Sequence, residues 1–327
     1  MEKYIINLLA LNSLKGVGKK TLNEVPLGVL QSIKEEKDLL AYIQSKEFPL
    51  QRKNIQVLSL SDVSAAYDGA DKLVMDCKNK GITLITKFDA EKYPQRFFRL
   101  ADYPPFFFAK GNVDCLKKTG IAVIGTREPS NTGKTWGTRL AEVFAEQGYT
   151  VISGLALGCD TCGHQGCLNG NGETIAVMPC PLDKVVPPQN EKLLDKIIKH
   201  NGCAISEYPI GAFTSKASFV ERDRLQSGLA IGVAVIETGT QGGTWHAVNT
   251  AFKIKIPVGF LQFSEHHYAQ VETSKGNKLA IEEKGCHGLK DQNSIRDFLI
   301  QCCLNDTTGD VKVDVLENVQ AEQGNLF

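Results

Sequence analysis

No run in the 327 residues approaches the roughly 18 consecutive apolar residues that a membrane-crossing helix needs, so no membrane span is expected. The first residues, Met1-Glu2-Lys3-Tyr4-Ile5, lack the basic start, apolar run and small-residue cleavage site of a signal peptide; a cytoplasmic protein is expected. Net charge is missing too, since 37 Lys+Arg balance 37 Asp+Glu. That balance does not exclude nucleic acid, because a neutral chain can gather its arginines on one face. Internal repeats and low-complexity tracts are absent. With 42% hydrophobic and 23% charged residues, the composition excludes wholesale disorder, a collagen-like fibre and a coiled coil. Neither Gly-x-x-x-x-Gly-Lys-[Ser/Thr] nor Gly-x-Gly-x-x-Gly occurs, so a Walker-type or standard NAD site is not expected and no cofactor is assigned. No Ser-His-Asp order or paired-carboxylate arrangement is convincing, so no catalytic residue is assigned.

What is present divides the chain into two textures. Residues 1–90 read as a small helical domain, in which Ile5, Ile6, Leu8, Leu9, Leu11 and Leu14 recur at helical spacing before Lys15-Gly16-Val17-Gly18. A second helix near Lys19 would carry Leu22 inward. This helix–turn–helix has two readings: a helix-hairpin-helix whose turn amides grip a phosphate, or a plain αα-turn. Residues 91–118, rich in aromatics and proline, read as a connector.

From residue 119 short apolar runs alternate with helical patterns. Strands are expected at 121–125, 149–153, 174–178, 203–206, 232–237 and 257–261. Helices are expected near 131–147, 160–170, 189–200, 220–230 and 243–253. That alternation predicts βαβ units in a Rossmann-like, doubly wound parallel sheet, an α/β fold, over roughly 119–263, within a domain bounded at 119–290. The last segment, 291–327, reads as one helix (294–303) and a polar tail.

In such a sheet, ligands bind beyond the carboxyl ends of the strands. Three Gly/Ser/Thr-rich loops fall there: Gly125-Thr126-Arg127, Ser153 to Asp160, and Thr238 to Thr244, which contains Gly242-Gly243-Thr244. Each joins a strand to a helix start, offering amides and a positive dipole end to a phosphate. Arg127 adds charge, as do Lys216, Arg222 and Arg224 in the run Lys216–Arg224, while Phe219 offers a flat face to a base. The competing reading has Arg222 and Arg224 pairing with Glu221, Asp223 or Glu237. Cys159-x-x-Cys162-x-His164-x-x-Cys167 permits a zinc reading, but small buried thiols on the inner face of a helix account for it better, and no metal is assigned. The ten cysteines are expected as thiols. Asp160 is placed to cap its helix.

Together these residues resemble the DprA/Smf family of DNA-processing proteins. The likeness runs through Tyr93-Pro94, Pro104-Pro105 and Lys110-Gly111-Asn112, then Ile121–Arg127 and Ser153-Gly154-Leu155-Ala156-x-Gly158-x-Asp160-x-x-x-His164. It continues through Thr174–Val177, Pro187-x-x-Asn190, Ile205-Ser206-Glu207-x-Pro209, Phe219-x-x-Arg222-x-Arg224, Gly276-Asn277-x-Leu279 and Glu283-x-Gly285. The resemblance implies a helical (helix-hairpin-helix or SAM-like) domain before an extended Rossmann domain. It implies a non-enzymatic role: binding and protecting single-stranded DNA, commonly as a homodimer, and loading a RecA-type recombinase in natural transformation, competence or DNA recombination. Carried over, Gly125, Thr126, Arg127, Lys216, Arg222 and Arg224 would hold phosphates and Phe219 a base, with Ser153, Gly154, Gly242, Gly243 and Thr244 in the flanking loops. Because phosphate contacts dominate, little sequence preference is expected.

The chain departs from the family pattern at Arg222-Asp223-Arg224, where the family has Arg-Asn-Arg, and at Gly242-Gly243-Thr244-Trp245. The Gly242-Gly243-Thr244 stretch also resembles the related LOG phosphoribohydrolases. That implies an alternative, a nucleotide sensor or hydrolase with Glu237 or Glu207 as acid, with defence against foreign DNA as its setting. Finally, Gln323-Gly324-Asn325-Leu326-Phe327 resembles the Gln-x-x-Leu-Phe peptide that docks on the bacterial sliding clamp, which gives Gln323, Leu326 and Phe327 a partner-binding role.

Overall fold

The computed structural model of the protein describes residues 3–51 and 57–306. Gln323, Leu326 and Phe327 lie outside them. Contacts divide the described residues into two compact units, one running to Tyr93 and including Ala101–Phe108, the other comprising Pro94–Leu100 and the described residues from Ala109 onward.

The first unit is mainly helical: α1 (Lys3–Ser13), α2 (Lys19–Glu24), α3 (Leu27–Ser32), α4 (Glu36–Gln44) and α5 (Leu60–Asn79). Leu8, Leu9, Leu11 and Leu22 are buried as their spacing predicts. Asn7 is buried among them and fully engaged: its amide donates to the carbonyls of Leu30 and Ile33 at 2.8 and 3.1 Å, and its oxygen accepts from the Tyr67 hydroxyl at 2.5 Å. Residues 1–90 are not helical throughout. After Gly81 turns the chain at φ +64°, the β-branched run Ile82–Thr86 forms strand β1. A second strand, β2 (Phe106–Gly111), occupies what reads in the sequence as connector.

The second unit carries a parallel sheet ordered β6-β5-β4-β3-β7-β8-β9, made from β3 (Gly120–Ile124), β4 (Thr150–Ser153), β5 (Thr174–Val177), β6 (Cys203–Ser206), β7 (Gly232–Val235), β8 (Val258–Leu261) and β9 (His287–Leu289). Every pairing along it is parallel, with Ile121 opposite Gly232 and Ile124 opposite Val235. All residues of β3–β8 are buried, which is why the strands read as unbroken apolar runs. β9 has no such signature; it is three residues long and half exposed.

Among the described residues, eight α-helices complete this unit: α6 (Asn131–Glu146), α7 (Cys159–Asn169), α8 (Glu191–Lys199), α9 (Lys216–Leu229), α10 (Thr244–Lys253), the short α11 (Glu265–Gln270), α12 (Lys275–Lys284) and α13 (Gln292–Leu304). α9 begins four residues before the expected 220 because Ser215 and Ser218 form a capping box there. Phe144 on α6 is fully buried against Phe298. Phe144→Ala is expected to cost about 3–5 kcal/mol of stability, read from the urea midpoint at unchanged slope.

β4, β5 and β6 step away from β3 on one side, while β7 and β8 continue on the other. The strand order therefore reverses between β3 and β7, and the crevice beyond their carboxyl ends is the fold's ligand position.

A cleft at the strand-order switch

An open cleft of about 420 Å³ lies at that point. It is lined by residues 124–128 after β3, by Ala156 and Asp160, by the α9 face from Phe219 to Gln226, and by the loop from Thr238 into α10. Of the positions expected from sequence, the fold brings Gly125, Thr126, Arg127, Phe219, Arg222, Gly242, Gly243 and Thr244 together here. Ser153, Gly154, Lys216 and Arg224 do not line it.

The three loops do not contribute equally. The Thr126 amide donates to the Glu237 carbonyl at 2.7 Å, and the amides of Gly154 and Ala156 donate to Asp160 Oδ2 at 3.1 and 3.3 Å. Those donors are already used. Ser153 is buried, its hydroxyl giving its proton to the Val123 carbonyl at 2.6 Å, so this side chain tightens the sheet. The third loop is different. The amides of Gly242, Gly243 and Thr244 donate to nothing among the described residues, and they sit at the start of the ten-residue α10. Gly242, which lines the cleft, has φ +131°, a conformation that favours glycine.

Arg127 is exposed, and its guanidinium lies over the Phe219 ring, 5.2 Å from the centroid. A cation and an aromatic face are thus joined beside the unpaired amides.

Arg222 behaves otherwise. It is 5% exposed, donates from Nη1 to the Val177 carbonyl at 3.0 Å, and lies 3.8 Å from Asp160 Oδ2 and 3.2 Å from Asp223 Oδ1. The Nε–Asp223 approach is an ion pair without hydrogen-bond alignment. A Cβ at Gly154 would fall on this guanidinium, so glycine there opens its channel. Arg222 is therefore the charged floor of the cleft rather than a free surface cation. Arg224 is held by Glu207 at 2.9 Å, away from the cleft. Lys216 opens α9 and is exposed.

Several residues that line the cleft were not singled out from sequence for this role. Gln226 donates from Nε2 to Asp223 Oδ1 at 3.2 Å. Burial pushes the Asp223 carboxyl up to about 6 against the opposing pull of Arg222. Burial likewise raises Asp160. Asp160 is not the cap of α7: Gly158 holds that position, and Asp160 turns back from the first turn onto its own loop. The only sequence signal for Asp223 is an acid set between two arginines.

The remaining candidates are tied to neighbours. Glu237 is wholly buried, accepting from the Ser130 amide at 2.8 Å, from the Ser130 and Thr273 hydroxyls, and contacting His267 Nε2 at 3.3 Å. His164 is buried with Nδ1 on Thr174 at 2.7 Å, and burial drives it down to about 3. The Cys159 thiol approaches the Glu237 carbonyl at 3.9 Å and the Cys167 thiol the Glu173 carbonyl at 3.1 Å. Among the described residues, no three His, Cys, Asp or Glu side chains gather as a metal site.

Residues 83–299 match the family model described as DNA recombination-mediator protein A. Protein Smf of Synechocystis is 34% identical over 159 residues, covering 47% of this chain and 40% of that protein; the chain thus spans well under two thirds of that relative's length. Among solved structures, DNA processing protein A from Helicobacter pylori, described for its single-stranded DNA binding mode, is 28% identical with a TM-score of 0.59, over 67% of this chain and 96% of that one. DNA processing protein A from Streptococcus pneumoniae shares the fold, with 24% identity, a TM-score of 0.64, and coverage of 86% of this chain and 98% of that one.

Proposed function

The chain belongs to the DNA recombination-mediator protein A family, and from that premise we propose that it binds single-stranded DNA in the cleft at the strand-order switch. The observation that carries this reading is the conjunction of Arg127 on Phe219 with the undonated amides of Gly242, Gly243 and Thr244. The amides and Arg127 suit phosphate oxygens, and Phe219 suits a base. Lys216, exposed at the start of α9, extends the positive track. Arg222 acts from below, through its field. We assign the bound strand to a RecA-type recombinase as its recipient, with two copies of the chain holding one strand. Natural transformation and recombination are the settings this serves, and docking of the C-terminal Gln323–Phe327 segment on a sliding clamp belongs to the same proposal.

The nucleotide-hydrolase alternative asks for an acid in the cleft from Glu237 or Glu207. Glu237 is spent on Ser130, Thr273 and His267, and Glu207 on Arg224. Neither lines the cleft. Binding is therefore the better-supported reading.

Labelled poly-dT of increasing length, titrated with mononucleotides as competitors, separates the two. The binding reading expects affinity that rises with length and mononucleotides that compete weakly. Tight mononucleotide binding with no gain from length would favour the alternative.

The cleft also predicts a pH dependence. Ionised Asp223 repels a phosphodiester, so anion binding favours its protonated form, and affinity for poly-dT should rise as the pH falls from about 7.5 to about 5.5. Arg222, Asp160, His246 and Arg127 share its surroundings. Asp223→Asn is expected to remove most of that rise; a rise unchanged in the variant would assign it elsewhere.

A further inference from the structure

The floor of the cleft holds two hydrogen-bond acceptors without donors. Gln226 is 2% exposed and lines the cleft, yet its Oε1 accepts no hydrogen bond among the described residues. Its amide orientation is fixed by chemistry: Nε2 faces Asp223 Oδ1 at 3.2 Å, and a carboxylate can only accept. Asp223 also lines the cleft, and while Oδ1 is shared between Gln226 and Arg222, Oδ2 has no hydrogen-bond partner among the described residues. A buried acceptor left without a donor costs about 1–3 kcal/mol, so Gln226 Oε1 marks a position where a ligand's N–H is favoured, and Asp223 Oδ2 is a charged acceptor at the cleft with no protein donor assigned to it among the described residues. Above this floor stand Phe219 and Arg127, both flat and both able to stack on a base.

Four bases could enter, and they differ in the donors they present. Thymine offers a single ring N–H between two carbonyls, which would meet the floor acceptors as like partial charges. Cytosine and adenine offer an amino group beside a ring-nitrogen acceptor. Guanine alone has a ring N–H and an exocyclic amino group side by side, a spacing that matches a carboxylate or a pair of neighbouring acceptors.

We propose that the cleft floor, through Asp223 and Gln226, takes the Watson–Crick edge of a guanine, so that this protein binds single strands containing guanine in preference to all-thymine strands. The inference rests on the proposed single-strand binding and adds a base preference at one position of a site otherwise held by phosphate contacts. Guanine N1–H and N2–H would donate to Asp223, and the remaining N2–H to Gln226 Oε1. Arg222 stays below, keeping the Asp223 carboxylate ionised and oriented. It makes no base contact.

The test is fluorescence anisotropy on the full chain at about pH 7.5, where Asp223 is mostly ionised. Three oligonucleotides of one length are compared: all-dT, dT with isolated dG residues, and dT with hypoxanthine at those same positions, which keeps the ring N–H and lacks the amino group. Isolated guanines avoid quadruplexes. The expected result is about tenfold tighter binding of the dG strand than of all-dT, in line with a bidentate base contact. Hypoxanthine should recover only part of that gain. In Asp223→Asn, which preserves shape but replaces an acceptor by a donor amide, the dG and all-dT strands should bind alike. Equal wild-type affinity for dG and all-dT strands would overturn the guanine assignment while leaving single-strand binding intact. A dG preference that survives in Asp223→Asn would overturn the role of this carboxylate. No binding of any strand would overturn the underlying reading itself.

Discussion

Replacing Arg222 by alanine is expected to lower the free energy of unfolding by about 3–5 kcal/mol, the loss typical when one partner of a buried ion pair is removed. The guanidinium passes over Gly154, bonds the Val177 carbonyl and lies between Asp160 and Asp223. Its removal leaves both carboxylates without their ion-pair partner. Burial already raises both, Asp223 to about 6. An acid whose pKa in the folded protein lies above its unfolded value stabilises the fold when protonated, and that contribution is lost as the pH rises through the folded pKa. Losing Arg222 raises both acids further. The deficit of Arg222→Ala should therefore be larger at about pH 7.5 than at about pH 5, measured as the difference in urea midpoints. A deficit equal at both pH values would mean that packing, and not charge, is what Arg222 supplies.

Phe219→Ala is expected to weaken poly-dT binding by about 1–3 kcal/mol, roughly 5- to 150-fold, the range for one base stacked on an aromatic side chain. Phe219 is half-buried at the cleft wall and carries Arg127 above its ring. The loss should include part of Arg127's contribution, because the ring positions that guanidinium. In a double-mutant cycle, Arg127→Ala and Phe219→Ala should therefore be non-additive, their combined loss falling short of the sum. Strict additivity would mean that the two side chains contact different parts of the strand. Circular dichroism on each variant separates a binding loss from unfolding.

The sheet of the second unit was legible in the sequence because its inner strands are buried on both faces. Ile121–Ile124 and Gly232–Val235 present only small and apolar residues, and periodicity needs nothing more. β1, β2 and β9 were missed for the opposite reason. Ile82–Thr86 mixes buried and exposed positions with no strict period, Phe106–Gly111 is hidden in an aromatic and proline run, and His287–Leu289 is too short to have a period.

Arg127 and Phe219 were legible for their chemistry, and the fold places them in contact. Arg222 and Arg224 looked like their surface neighbours. Their burial depends on residues far along the chain, Gly154 and Val177 for one and Glu207 for the other, which a local pattern does not contain. The glycine-rich loops announced themselves as a class. Which of them keeps free amides was decided by tertiary partners, Glu237 for Thr126 and Asp160 for Gly154 and Ala156.

The central claim is that single-stranded DNA is held by phosphate contacts at the cleft through Arg127. The most direct measurement is the salt dependence of poly-dT affinity for the wild type and for Arg127→Ala. Affinity should fall linearly with the logarithm of salt concentration, and the variant should bind more weakly with a slope shallower by about 0.7, the value for one phosphate contact on a single strand. Unchanged affinity and unchanged slope in Arg127→Ala would contradict the account and place the DNA on another face of the protein.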